Sequence, residues 1–252
     1  MNYKIGITAC LLIGITFLCG CTSTTEEVQP LLVYAGAGLK VPLDVNIAGF
    51  TQETGIKIIP NYGPSGGLYA QINEGQPADV FFSADWKFIE KLEDDGKLTD
   101  SIKLLEDNIV LVRSKTGEEK GIEKIQDLVK PDISIAVADP GAPIGQYSQN
   151  VLDSTGMTEA LSQGAIKARP STVNQVALMV EKDEVDAGFL YSSTASLYNL
   201  TPVQRFDTTQ SGEIVFGIGI IKGGDEKRAK EFTDYLDKHT DEYMKYGWTR
   251  YA

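Results

Sequence analysis

Cysteine stops at residue 21. The 252-residue sequence holds three, Cys10, Cys19 and Cys21, and none follows. The remaining chain has no thiol for a disulfide, a thiolate metal site or a cysteine nucleophile. Histidine is nearly as scarce, since His239 stands alone. One histidine without cysteine partners excludes most histidine-based metal and nucleophile sites. His239 lies in Asp237-Lys238-His239-Thr240-Asp241, which reads as a solvated helix end where a cation suits the dipole. Positive charge is also short, with 23 Lys and Arg against 35 Asp and Glu and a formal net charge of −12. That balance argues against nucleic acid or an anionic lipid surface as a partner. No P-loop occurs. The acid groups Glu93-Asp94-Asp95 and Glu118-Glu119 stand among Lys and Gly, as solvated faces do. The sequence displays no catalytic constellation, and an enzyme is not expected.

The first residues are expected to be a leader. Lys4 precedes an uncharged apolar stretch, Ile5 to Leu18, and then Leu18-Cys19-Gly20-Cys21. This is a basic region, an apolar region and a small-residue cleavage site, too short to span a bilayer at about 20 residues. The tetrad resembles a bacterial lipobox, which places a signal peptide over 1–20 and a lipid on the sulfur of Cys21. The alternative is an uncleaved membrane anchor. Either arrangement puts the folded part outside the cytoplasm, tied to a membrane. Residues 21–30 are polar, end in Pro30 and read as a tether.

Beyond the tether, apolar runs alternate with helical patterns, so the fold class is α/β. Leu31 to Tyr34, Ile56 to Pro60, Asp79 to Ser83, Asn108 to Arg113, Ile133 to Val137, Ala187 to Tyr191 and Glu213 to Ile221 read as strands. Helices are expected over Leu39 to Glu53, Gly67 to Asn73, Trp86 to Asp94, Gln146 to Ser154, Val173 to Lys182 and Glu226 to Lys238. The grammar repeats, which gives two lobes, the second inserted into the first: 31–108 plus 206–252, and 109–205. A cleft between lobes is a favoured ligand position.

What the chain does have is small-residue turns at strand-to-helix junctions: 35–38, 64–67, 141–145 and 171–173. Gly, Ser and Pro serve turn geometry in any α/β protein. Four such turns divided between two lobes point further, because open α/β sheets bind ligands at these strand ends. A helix start has N–H groups without intrahelical partners and partial positive charge. Small residues let an anion approach that backbone. Tyr191 adds a phenolic donor at a strand end, or packs there as a lobe-edge aromatic.

These segments carry a resemblance. Leu32-Val33-Tyr34-Ala35-Gly36-Ala37-Gly38-Leu39, Gly63 to Ile72, Gln76-Pro77-Ala78-Asp79-Val80-Phe81-Phe82-Ser83-Ala84-Asp85, Ala138-Asp139-Pro140 and Gly188-Phe189-Leu190-Tyr191 follow in order. They resemble the molybdate/tungstate-binding proteins of ABC importers, the ModA family, over residues 31–251. The resemblance implies a two-lobe, type II periplasmic-binding-protein fold with mixed sheets flanked by helices. It implies a tetrahedral oxyanion, molybdate or tungstate, held in the cleft without a cofactor and passed to an ABC permease and its ATPase. The expected binding residues are the Ser65 hydroxyl, the Ile144 and Val173 N–H groups and the Tyr191 hydroxyl. Many relatives have a serine in the first loop, where this chain has Ala37-Gly38-Leu39. Only the N–H of Gly38 or of Ala37 can serve there. A related archaeal branch adds two carboxylates to the metal. Here Leu190 precedes the tyrosine and the Asp139 to Pro143 turn is short, so no side chain should ligate the metal directly. The chain is expected to be a monomer. Sulfate, thiosulfate or another oxyanion is the nearest alternative ligand, and an anion-sensing partner of a membrane receptor is the alternative role.

Overall fold

The structure, a computed structural model, describes Met1 and residues 29–252. The expected signal peptide, Cys21 and all but the last two tether residues lie outside the described residues. The chain opens with β1 (Leu31–Gly36), a 3-10 turn (Ala37–Leu39), α1 (Lys40–Thr54), β2 (Ile58–Gly63), α2 (Ser65–Asn73), β3 (Val80–Ser83), α3 (Trp86–Asp94) and β4 (Leu98–Asp107). It continues with β5 (Ile109–Arg113), α4 (Lys115–Glu119), a second 3-10 turn (Ile125–Val129), β6 (Ile135–Ala136), α5 (Pro143–Ser154) and α6 (Thr158–Ser162). Next come β7 (Ile166–Ala168), α7 (Val173–Glu181), β8 (Ala187–Tyr191), α8 (Ser192–Leu197) and β9 (Pro202–Phe206). It returns through α9 (Thr208–Ser211) to β10 (Ile214–Ile221), α10 (Glu226–Lys238), α11 (Asp241–Met244) and β11 (Thr249–Arg250). Among the described residues no helix is long and apolar enough to cross a membrane.

The strands form two mixed sheets. The six-stranded sheet runs β11-β4-β10-β3-β1-β2, and the five-stranded sheet β7-β6-β8-β5-β9. In the first, β1 lies parallel to β2 and β3, and β10 antiparallel to β3 and β4. In the second, β6 is parallel to β7 and β8, and β5 antiparallel to β8 and β9. The strands β3, β8 and β10 are buried along their whole length. Helices cover both faces of a sheet in such cases, which is why these strands read as unbroken apolar runs.

Packing fixes the layers. On one face of the first sheet Phe50 of α1 meets Phe232 of α10 at 5.0 Å between ring centroids. On the other, Leu68 and Ile72 of α2 join Phe88, Ile89 and Leu92 of α3 over Phe81. Each fully buried side chain of this kind stabilises by about 1.5–3 kcal/mol. Trp248 closes the far end, edge-on to Phe216 at 6.0 Å.

Several expectations shift. Residues 98–107, for which neither strand nor helix is expected, form the ten-residue strand β4. Asp100 is exposed and Glu106 half-buried, while Leu104, Leu105 and Asp107 are buried, and β10 pairs with the strand along its length. Three helices start earlier or stop sooner than expected: α2 at Ser65, α5 at Pro143, and α7 at Glu181. His239 caps α10 but is half-buried, its ring stacked on Tyr235 at 3.9 Å.

Candidate functional site

The carboxyl ends of β1, β2 and β3 bring three segments together. After β1 the chain enters the 3-10 turn, whose opening N–H groups, on Ala37 and Gly38, have no acceptor within the turn. After β2, extended Pro64 leads directly into α2, so Ser65 is its first residue. Ser65 is 1% exposed. Its Oγ accepts from the Ala84 N–H at 3.0 Å, just beyond β3. That bond occupies an acceptor lone pair and leaves the hydroxyl proton to donate.

The five-stranded sheet contributes from the opposite side. Beyond β6, Ala142 caps α5, and Pro143 occupies its first position. Proline has no N–H, so Ile144 presents the first donor of that helix. Thr172 caps α7 in a capping box, accepting from the Gln175 N–H while Gln175 Oε1 accepts from the Thr172 N–H. The box satisfies Gln175 and leaves the N–H of Val173, one residue inside, without an intrahelical partner. Tyr191 ends β8 and caps α8. It is 2% exposed, and its hydroxyl has no hydrogen-bond partner among the described residues. Its ring is held edge-on against Phe216 at 5.4 Å and Tyr147 at 6.4 Å.

One cavity of about 270 Å³, its open mouth included, gathers these groups. Ala37, Gly38 and Ser65 line it from the side of the six-stranded sheet, and Ile144, Val173 and Tyr191 from the side of the five-stranded sheet. All six residues expected from the sequence are therefore brought together. Among the described residues no charged one lines the cavity, and His239 is not part of it. Four helix starts, those of α2, α5 and α7 and the turn before α1, meet there, each with partial positive charge. Burial, then the neighbouring Tyr147, Asp85 and Asp107, push the Tyr191 phenol well above its ordinary range. Tyr191 stays protonated and can only donate to an anion. Among the described residues no group of three or more His, Cys, Asp or Glu is placed to hold a metal ion.

The structure adds residues that sequence reasoning missed. Ala84 fixes Ser65 through its N–H. Thr194, in α8, is 0% exposed and its Oγ1 has no partner among the described residues. It stands 3.7 Å from where a Cβ on Gly38 would sit, and Val173 Cγ1 stands 3.2 Å from that point. A side chain at position 38 is therefore crowded from across the cleft. The one available signal was the hydroxyl run Ser192-Ser193-Thr194 directly after Tyr191. Asp107 marks the crossing from β4 to β5. Its Oδ1 accepts from the Ser192 hydroxyl at 2.7 Å and the Asn108 N–H at 2.7 Å. Burial lifts its carboxyl to about 6 in spite of these donors.

Comparison with known proteins agrees with this architecture. Residues 31–249 match the bacterial extracellular solute-binding protein family. YvgL of Bacillus subtilis (strain 168), by name an ABC transporter substrate-binding lipoprotein, is 32% identical over 98% of this chain and 98% of its own. The molybdate-binding protein ModA of Azotobacter vinelandii is 27% identical over 92% of this chain and 93% of its own. A solved Azotobacter vinelandii periplasmic molybdate-binding protein superposes with a TM-score of 0.76 at 25% identity, covering 87% of this chain and 98% of that one. The sulfate-binding protein SubI of Mycobacterium tuberculosis H37Rv superposes at 0.72 with 18% identity, covering 88% and 87%, a likeness of fold alone. The fold is that of a type II periplasmic binding protein. The chain belongs to the bacterial extracellular solute-binding proteins, which bind a solute and do not transform it.

Proposed function

We propose that the chain is the substrate-binding component of an ABC importer for molybdate or tungstate. One observation carries the reading. Neutral donors from both sheets converge on one cavity, and the buried Tyr191 hydroxyl among them has no partner among the described residues. A tetrahedral dianion supplies acceptors to every side at once. Hydrogen bonds to a charged group are worth about 1.5–3 kcal/mol each. The metal of the oxyanion is cargo, and no side chain reaches it directly. The names of the ModA relatives support the choice of ligand.

In this reading the two halves of the chain, 31–108 plus 206–252 and 109–205, act as lobes hinged at the crossings near Asn108 and Asp207. Capture, closure and hand-over to the permease, driven by its ATPase, follow in that order. A donor-only cavity also selects by protonation. Hydrogen phosphate carries a proton that needs an acceptor, and it would bury two donors face to face. Sulfate is fully ionised but smaller and touches fewer donors at once. The protein acts as a monomer held at the membrane by lipid on Cys21. Two or more acyl chains are needed for stable anchoring.

Calorimetric titration with molybdate, tungstate, sulfate and phosphate tests the ligand. Molybdate and tungstate should bind alike and at least about a hundredfold tighter than sulfate, roughly 2.7 kcal/mol. Sulfate binding as tight as molybdate defeats the assignment. Mass spectrometry of the processed N-terminus tests the anchor, and an unmodified Cys21 defeats that part alone.

A further inference from the structure

Asn174 is the second residue of α7, next to Val173. Its Nδ2 donates to the Ala37 carbonyl oxygen at 2.8 Å. The helix α7 packs on β8 of the five-stranded sheet, whereas Ala37 follows β1 of the six-stranded sheet. This bond therefore crosses the cleft. The same carbonyl accepts from the Lys40 N–H at the end of the 3-10 turn.

A trans peptide is planar, and its C=O and N–H point in opposite directions. Two donors fix the Ala37 carbonyl, so they also fix the Gly38 N–H on the other edge of that plane. Gly38 lines the cavity and has no side chain to offer. Whatever this position contributes to an anion is that one N–H. A serine there would supply a second, adjustable donor, and its absence makes the amide's orientation matter more.

We propose that Asn174 is a positioning residue that couples closure of the cleft to presentation of the Gly38 N–H. When the halves meet, Asn174 grips the Ala37 carbonyl, which turns the neighbouring N–H onto the bound anion. When they part, that grip is lost and the Lys40 N–H alone holds the carbonyl, so the amide is less firmly oriented. The inference rests on the oxyanion reading above. It assigns Asn174 to retention of the ligand, because the bond forms only after the halves have closed. Its removal should therefore change the dissociation rate and leave encounter untouched.

Rapid-mixing fluorescence of the full chain with molybdate tests this, comparing wild type with Asn174→Ala and Asn174→Leu. Leucine keeps the branched outline of asparagine, at a larger volume, without its donor. Both variants should dissociate roughly fivefold faster, the scale of one neutral hydrogen bond, with association within about twofold of wild type. Thermal midpoints without ligand should stay within about 2 °C, since Asn174 is half-buried at a helix start. Unchanged dissociation in both variants, with wild type binding molybdate, overturns the role of Asn174 and leaves the oxyanion reading standing. A slower association with unchanged dissociation overturns it equally. Wild type that binds neither molybdate, tungstate nor sulfate overturns the oxyanion reading, and this inference with it.

Discussion

Removing the Tyr191 hydroxyl separates binding from folding. In the structure this hydroxyl is buried and makes no hydrogen bond among the described residues. The ring alone holds the packing against Phe216 and Tyr147. Tyr191→Phe therefore leaves the unliganded protein at least as stable as wild type, within about 0.5 kcal/mol. Binding changes differently, because the lost bond is one to an anion. A cost of about 2 kcal/mol weakens affinity roughly thirtyfold. At a molybdate concentration a hundred times the wild-type Kd, ligand stabilises wild type by about 2.7 kcal/mol. At the same concentration the variant sits near three times its own Kd, and stabilisation falls to about 0.9 kcal/mol. Thermal melts with and without molybdate read both quantities on one sample. Normal molybdate stabilisation of Tyr191→Phe would place the anion elsewhere. A large loss of unliganded stability would mean that the hydroxyl has a partner in the fold, and the reasoning would fail from the other side.

Ser65→Ala should weaken molybdate binding by about 1.5–3 kcal/mol and, unlike Tyr191→Phe, also lower unliganded stability, because the Ala84 N–H loses its acceptor. Calorimetry paired with melts checks it, and unchanged binding removes Ser65 from the site. Gly66→Ala should weaken binding by obstructing closure, since a Cβ there would stand 2.4 Å from the Gly141 carbonyl oxygen across the cleft. Scattering with saturating molybdate should show it more open than wild type, and an equally closed variant counts against a cleft that closes at this contact. Asp107 should make stability fall as pH rises through about 6. Its folded pKa lies above its ordinary 3.8, so the native state holds more protons between those values and the contribution, at most about 3 kcal/mol, is lost on the alkaline side. Denaturant titrations from pH 7 to pH 5 should lose this rise in stability in Asp107→Asn, and an identical slope in the variant assigns it to other groups.

The strands most legible in the sequence are those buried on both faces. Val80 to Ser83, Ala187 to Tyr191 and Ile214 to Ile221 are short unbroken apolar runs. The strand β4 was hidden because its outward side chains are acidic and polar, and because its partner β10 lies more than a hundred residues later. Pairing at that separation leaves no local trace. The strand β9, with Arg205 exposed, Gln204 half-buried and Pro202 at its start, is an edge strand of the kind that polar residues disguise. The candidate site was more legible than the fold, since five of its six residues sit in turns with distinctive small or capping residues. The sixth, Tyr191, closes an apolar strand. Asn174 and Thr194 were not legible. Each acquires its meaning from a residue on the other side of the cleft, Ala37 in one case and Gly38 in the other.

An anion site in a chain of net charge −12 is consistent once distance is considered. Surface acids are screened beyond about 8 Å at physiological ionic strength, while groups inside the cavity are not. The carboxylates that bear on the site are those felt by Tyr191, namely Asp85 and Asp107. Asp85 carries its own counter-ion, with Lys87 Nζ 2.7 Å from its Oδ2. Asp107 receives the Ser192 hydroxyl and the Asn108 N–H, and burial already brings its proton affinity close to neutrality. A nearby dianion favours that proton further, so the one buried carboxyl without a cationic partner is also the one best able to become neutral. The positive side of the balance comes from helix starts and hydroxyls, which carry no net charge and attract no competing counter-ion. On the proposed reading, such a site would hold a doubly charged tetrahedral solute firmly when closed and would have no fixed cation to overcome when the halves open to release it.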